Sequence, residues 1–219
     1  MQLILIRHAK SVNYENNKRQ SPLTGLGDFG KNQASLLADR IKNLSESTGH
    51  KYRCVITSDW KRANETAEII SKRLKIPLVE SPYIHEYLSN KILENQPLDS
   101  DIVKEFKKAV KNKGINFDWK FRGEGECLRD VINRAIKFRK ELLNKYKNNN
   151  VLVVSHGLFI TAFITTLLLG DNYKDEEFDR VSKMIFLENT SITHLEYDEE
   201  KQSWRIHCLN DSSHLESFK

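Results

Sequence analysis

The sequence has little of what marks a cross-linked, metal-bound or membrane-embedded protein. Three cysteines, Cys54, Cys127 and Cys208, are odd in number, far apart and not in CxxC pairs. They read as reduced thiols in a cytoplasmic protein, and no His/Cys cluster has zinc-ligand spacing. The longest apolar run, Leu158 to Leu169, is too short to span a bilayer and is broken by threonines. No basic n-region or cleavage site precedes the buried-strand pattern that starts at Gln2, so no signal peptide is expected. Internal repeats and an interdomain linker are also missing, which leaves one domain over 1–219.

Of the 219 residues, 39% are hydrophobic and 30% charged, a balance that supports a real core in a globular protein. The net charge is +5, and much of it lies between Asp101 and Arg122, where seven Lys/Arg face three Asp/Glu. No aromatic-interleaved basic motif accompanies it. We therefore expect a solvated helix face rather than a nucleic-acid site.

Leu3-Ile4-Leu5-Ile6 and Val151-Leu152-Val153-Val154 are apolar throughout, as strands buried on both faces of a parallel sheet are. Further strands are expected at Arg53–Thr57, Ile76–Val79, Met184–Leu187, Ser191–Tyr197 and Trp204–Leu209. Helices are expected at 28–44, from a cap at Ser58 or Asp59 through Leu74, at 101–111, at 126–146 and from Leu158. Ser11–Pro22 reads as a loop over the sheet edge, 81–122 as an insertion capping the active-site face, and the tail beyond Asn210 as frayed. The fold class is α/β: one three-layer domain, a mainly parallel central sheet with helices on both faces.

Ligands of open α/β sheets sit outside the carboxyl ends of the strands, and both apolar strands end there in histidines. The first closes on Arg7-His8, with Ser11 in the same turn, and the later one on Ser155-His156-Gly157. An arginine fork matches phosphate oxygens, and a neutral imidazole can attack phosphorus. Arg62, at the start of a helix after a buried strand, brings a second guanidinium to that edge. Gly157 would permit a sharp strand-to-helix turn, with the next helix's N-terminus aimed at the site. Glu86 follows the third strand, where a carboxyl group near a phosphate would hold a proton for a departing alcohol. His85 is read as structural. Each residue taken alone has a plainer reading; together they point to phosphoryl transfer.

The ordered set is Arg7-His8, Leu23-Thr24, Ser58-x-x-x-Arg62-Ala63-x-x-Thr66-Ala67, Glu86, Gly125-Glu126-Cys127, Ser155-His156-Gly157 and Asn189-Thr190-Ser191. It resembles the histidine phosphatase superfamily, with its phosphoglycerate-mutase-like fold, over nearly the whole chain. The resemblance implies that His8 is phosphorylated and that Arg7, Arg62 and His156 form the phosphate pocket, with Ser11 a further contact. Glu86 would be the acid, and Gly125-Glu126-Cys127 would orient the long helix. It implies hydrolysis of phosphomonoesters, on a small anionic metabolite, with no metal and no cofactor. Mutase-type transfer and a phosphohistidine protein phosphatase are the alternatives, and no nucleic-acid or membrane partner is expected.

Three positions depart from the family pattern. Ala9 stands where glycine is usual and fits if its φ is negative, and Lys10 adds charge near the site or points outward. Asn13-Tyr14 is out of step with the family's asparagine, which puts an asparagine contact to phosphate in doubt. The stretch from Leu23 to Ala34 is longer than usual.

Overall fold

The computed structural model describes residues 1–218. The elements run β1 (Gln2–Arg7), α1 (Val12–Glu15), α2 (Asp28–Thr48), β2 (Tyr52–Thr57), α3 (Lys61–Leu74), β3 (Leu78–Glu80), α4 (Asp101–Asn112), α5 (Leu128–Tyr146), β4 (Asn150–Ser155), α6 (Gly157–Leu169), α7 (Asp175–Ser182), β5 (Ile192–Asp198) and β6 (Ser203–Asp211). One six-stranded sheet has the order β3-β2-β4-β1-β5-β6. β1, β2, β3 and β4 are parallel, while β5 and β6 run antiparallel at one edge.

Alternation along the strands explains why they read as apolar throughout. Ile4, Ile6, Val55, Leu152 and Val154 pack against α2 and α3, through Leu37, Ala38, Ile41, Ala63, Ala67 and Ile70. Leu3, Leu5, Ile56, Val151 and Val153 face the other layer, where Val131, Ile132, Ala135, Phe138, Phe159 and Phe163 come from α5 and α6. Successive side chains of a strand point to opposite faces, so a sheet covered on both sides needs apolar residues at every position. β1 is followed by helices on one face and β4 by helices on the other. That divergence opens a crevice between their carboxyl ends, the usual ligand position in such sheets.

Segment 81–122 carries a small core of its own, Leu93, Val103 and Phe121 with Ile102, Phe106 and Trp119 packed against it. Of the seven Lys/Arg between Asp101 and Arg122, three are ion-paired among the described residues: Lys104 with Asp101, Arg122 with Glu105, and Lys120 with Asp130 of α5. This is the solvated face expected from the charge count.

Several boundaries differ from expectation. α3 begins at Lys61 with Trp60 as its N-cap, because Ser58 Oγ accepts from the Trp60 N–H at 3.1 Å and holds the preceding turn instead. The loop after β1 contains the one-turn α1, capped by Ser11. Met184–Leu187 is not a strand. Met184 and Phe186 are 79% and 69% exposed, and the apolar run is a loop beside the sheet edge. α7 just before it has one buried apolar residue, Phe178, too few to give a helical stripe in sequence. The tail is not frayed over 213–218, which forms a 3-10 turn with Leu215 buried near α2; Lys219 lies outside the described residues. Among the described residues no helix is long and apolar enough to cross a membrane.

Candidate active site

Sheet register brings the two histidines together. Arg7 of β1 pairs with Ser155 of β4 in the parallel ladder, so the residues that follow, His8 and His156, leave neighbouring strands at the same level. Their ring centroids are 5.0 Å apart. Arg62, in the first turn of α3 beyond β2, reaches across so that its Nε donates to His8 Nε2 at 3.0 Å.

The main chain sets the His8 tautomer. His8 Nδ1 lies 2.7 Å from the carbonyl oxygen of Ala9, which can only accept, so Nδ1 carries the proton and Nε2 the lone pair. The ring is buried, and burial, then Arg62 and Arg7, hold its pKa well below the ordinary imidazole value. The ring is therefore neutral near pH 7, with a nucleophilic nitrogen facing a guanidinium. His156 is depressed in the same direction by burial, Arg62 and His8. Its Nε2 pairs with Ser58 Oγ at 3.0 Å, and its Nδ1 is buried with no hydrogen-bond partner.

Two cations face these rings, Arg62 buried and Arg7 half-buried, and neither is within ion-pair distance of a carboxylate among the described residues. Arg62 is 1% exposed; it donates to His8 and to the Ser21 carbonyl at 3.0 Å, and its guanidinium lies 4.9 Å from the Trp60 ring. Burial lowers its pKa to about 10, so it stays charged. Arg7 donates to the Leu187 carbonyl at 2.5 Å, while its Nε is buried and unpartnered. Neither arginine has an ion pair among the described residues. Burying a charge without a counter-ion costs several kcal/mol, so the arrangement suits an anion with several acceptor oxygens.

Glu86 lines the same cavity as Arg7, His8 and Arg62. Its Oε2 accepts from the Leu158 N–H at 3.2 Å, in the first turn of α6, and its Oε1 from the Tyr87 N–H at 3.0 Å. The loop bearing it is braced from α5. Arg134 donates to the Tyr83 and His85 carbonyls at 2.6 and 3.0 Å and pairs with Glu126, whose Oε2 accepts from the Leu88 N–H at 3.0 Å. Gly125 belongs to this brace: its φ is +81°, and a Cβ there would lie 2.5 Å from the Leu88 carbonyl oxygen. His85 stacks on Trp60, with ring centroids 5.7 Å apart, which fits the structural reading.

The other expectations fare unevenly. Ser11 lines the cavity, but its hydroxyl donates to Gln20 Oε1 at 2.6 Å and accepts from the Tyr14 N–H, so it is committed to capping α1. Ala9 is not among the residues with positive φ, so the loss of glycine there costs nothing in backbone strain. Lys10 turns from the cavity lined by Arg7, His8 and Arg62 to lie over the Phe29 and Tyr14 rings. Asn13 donates to the Arg19 carbonyl and to Asn95 Oδ1, away from the arginines. Gly157 has no positive φ, and a Cβ there would meet the Arg7 guanidinium at 3.5 Å, an ordinary contact; the turn does not demand glycine.

Sequence reasoning missed three contributors: Ser58 on His156, Arg134 behind the Glu86 loop, and Asn189. Asn189 Nδ2 donates to the His8 carbonyl at 2.8 Å. Thr190 beside it adopts φ +61°, rare for a β-branched residue, with its N–H bonded to the Arg7 carbonyl at 2.9 Å. The Asn189-Thr190-Ser191 motif was visible; its role in fixing the His8 backbone was not.

Comparison with known proteins places the whole fold in one family. A family model described as the histidine phosphatase superfamily (branch 1) matches residues 3–212. A probable phosphoglycerate mutase, GpmB, of Yersinia pestis (strain Pestoides F) is 27% identical over 227 residues, covering 99% of this chain and 95% of the relative. Among solved structures, Bacillus stearothermophilus YhfR superposes with a TM-score of 0.81 at 22% identity, covering 98% of this chain and 99% of that one. A mycobacterial glucosyl-3-phosphoglycerate phosphatase solved with VO3 gives 0.78 at 20% identity, over 96% and 99% of the two chains.

Proposed function

The chain belongs to the histidine phosphatase superfamily, and from that membership we propose that it hydrolyses small phosphomonoesters through a phosphohistidine on His8. The observation that carries the reading is the neutral His8 Nε2 lone pair held against the buried Arg62 guanidinium, with half-buried Arg7 beside it and neither arginine in an ion pair among the described residues.

The ester's phosphate docks against Arg7, Arg62 and His156. Arg62 Nε then transfers its hydrogen bond from His8 Nε2 to a phosphate oxygen, which frees the lone pair. His8 Nε2 attacks phosphorus in line; the N–P bond forms as the P–O bond to the alcohol breaks, and Glu86 gives its proton to the departing oxygen. The Ala9 carbonyl accepts from Nδ1–H throughout and stabilises the positive charge on the phosphorylated ring. Water then attacks phosphorus while Glu86 takes its proton, the N–P bond breaks and inorganic phosphate leaves. Charge on the equatorial oxygens is met by the arginines and His156, the part a divalent cation plays in other phosphoryl-transfer sites.

Glu86 is proposed as the acid because it is anchored on the first turn of α6 beside the nucleophile. Segment 81–122 is proposed as the cap, since Glu86, Tyr87, Leu88, Ser89, Glu94 and Leu98 line the cavity from it. The test is turnover of p-nitrophenyl phosphate with EDTA present. Wild type should release phosphate and His8→Ala should not. A strict requirement for Mg²⁺ would contradict the reading, and rearrangement of a phosphoglycerate without net phosphate release would replace it with the mutase alternative.

A further inference from the structure

Beyond the phosphate-binding residues, the cavity of about 370 Å³ continues outward to a wall that includes Lys18, Arg19, Tyr87, Ser89, Glu94 and Leu98. Arg19 is the fixed point of that wall. Its N–H donates to the Gln96 carbonyl at 2.8 Å, its own carbonyl accepts from Asn13, and the Leu98 N–H donates to the Asn17 carbonyl at 2.9 Å. The loop after β1 and the cap are thus pinned together on both sides of it. The guanidinium carbon lies 5.0 Å from the Phe106 ring centroid, an aromatic platform supplied by α4. Its hydrogen bonding is unfinished. Nε is buried without a partner, and Nη2 reaches only Ser89 Oγ, at 3.5 Å. Among the described residues Arg19 makes no ion pair, although elsewhere on the surface arginines pair readily, as Arg122 does with Glu105 and Arg205 with Asp198.

A guanidinium that is backbone-anchored, stacked and partly desolvated but lacks an acceptor is arranged for an anion from outside the chain. Lys18 is next to it and has no ion pair among the described residues either. Glu94 also lines the wall, without an ion pair among the described residues, which subtracts one charge and leaves Lys18, Arg19 and Glu94 together net positive. Burial lowers the Arg19 pKa, while Tyr87 and Glu86 oppose that shift, in keeping with a cation that borders the acid end of the cavity.

We propose that Arg19, supported by Lys18, is a second anion subsite, so that the substrates are phosphomonoesters whose alcohol carries a further anionic group, a carboxylate or a second phosphate. The proposal rests on the phosphatase reading above. It makes Arg19 a specificity-determining residue: it binds the leaving group and takes no part in bond making.

The experiment compares kcat/KM for four esters in wild type, Arg19→Gln and Arg19→Lys. 3-Phosphoglycerate tests a carboxylate and fructose 1,6-bisphosphate a second phosphate. Glycerol 1-phosphate and p-nitrophenyl phosphate have no second anion. Wild type should favour at least one of the two substrates with a second anionic group over glycerol 1-phosphate by about 10- to 100-fold, the range for one charge-assisted contact. Arg19→Gln should erase most of that ratio through KM, and Arg19→Lys should restore part of it. Preference for 3-phosphoglycerate alone assigns the carboxylate, and preference for the bisphosphate alone assigns the phosphate. An absent preference in wild type, or an equal loss on all four esters in Arg19→Gln, would overturn the subsite. No turnover of any ester, p-nitrophenyl phosphate included, would remove the phosphatase reading and the subsite with it.

Discussion

At the floor of the cavity, Arg7, His8 and Arg62, with His156 fully buried against the His8 ring, leave strand ends or the helix just after one. The outer wall comes instead from loops, with Lys18 and Arg19 on one and Glu94 and Leu98 on the other, held together by main-chain hydrogen bonds. Parallel register fixes the floor: once Arg7 stands opposite Ser155, the two imidazoles must be neighbours. Nothing comparable fixes the wall, whose position depends on bonds such as Arg19 N to Gln96 O. On the proposed function, this is a division of labour, with chemistry on rigid elements and substrate choice on loops that can vary without moving it.

The largest effect that would sharpen this contrast is at Glu86, which stands where floor and wall meet. Glu86→Gln should slow hydrolysis of alkyl phosphates by about 10²- to 10³-fold, and p-nitrophenyl phosphate, with its good leaving group, by less than about tenfold. Equal slowing of both, measured as kcat, would remove Glu86 from the acid role.

Next comes the brace behind that residue. Arg134→Met leaves the half-buried Glu126 without its arginine partner and frees the Tyr83 and His85 carbonyls. A loss of about 2–4 kcal/mol in urea unfolding is expected, with a kcat on alkyl phosphates about tenfold lower. Full stability with full activity would show that the loop needs no support from α5.

The floor should also respond to pH in a way the wall does not. His8 and His156 have folded pKa values below their unfolded value near 6.5. Below that pH the unfolded chain binds protons that the folded one refuses. Stability is therefore complete above about pH 6.5 and falls as pH drops, with a limiting slope of about 1.4 kcal/mol per unit for each ring. Urea melts of wild type and a His8→Asn/His156→Asn variant at pH 7 and 5 measure it; the variant should lose less. Parallel losses would mean that the rings are not held neutral.

The smallest effect expected is at Ser11. Ser11→Ala should cost about 1 kcal/mol of stability, the usual value of a lost N-cap, and change kcat/KM by less than about threefold. A large loss of activity would return its hydroxyl to the phosphate site.

Legibility in the sequence follows the same division. His8 and His156 were readable because runs such as Leu3–Ile6 and Val151–Val154 announce buried strands, and a strand end is a known address. Arg62 was readable from its place after β2. Ser58, Arg134 and Asn189 act through contacts 98, 51 and 181 residues apart in sequence, which no local pattern encodes. The apolar run Met184–Leu187 misled because strand-like composition cannot reveal that Phe186 lies open to solvent. Ser11 misled differently: its place after Arg7-His8 was right for the cavity, but the α1 turn uses its hydroxyl.

The most direct test of the central claim is to catch the covalent intermediate. Acid lability distinguishes phosphohistidine from phosphoserine, so base-quenched enzyme mixed with a ³²P-labelled phosphomonoester should carry base-stable, acid-labile label on the peptide containing His8. His8→Ala should carry none. Turnover without label on His8 under rapid quench, or the same label retained in His8→Ala, would contradict the account.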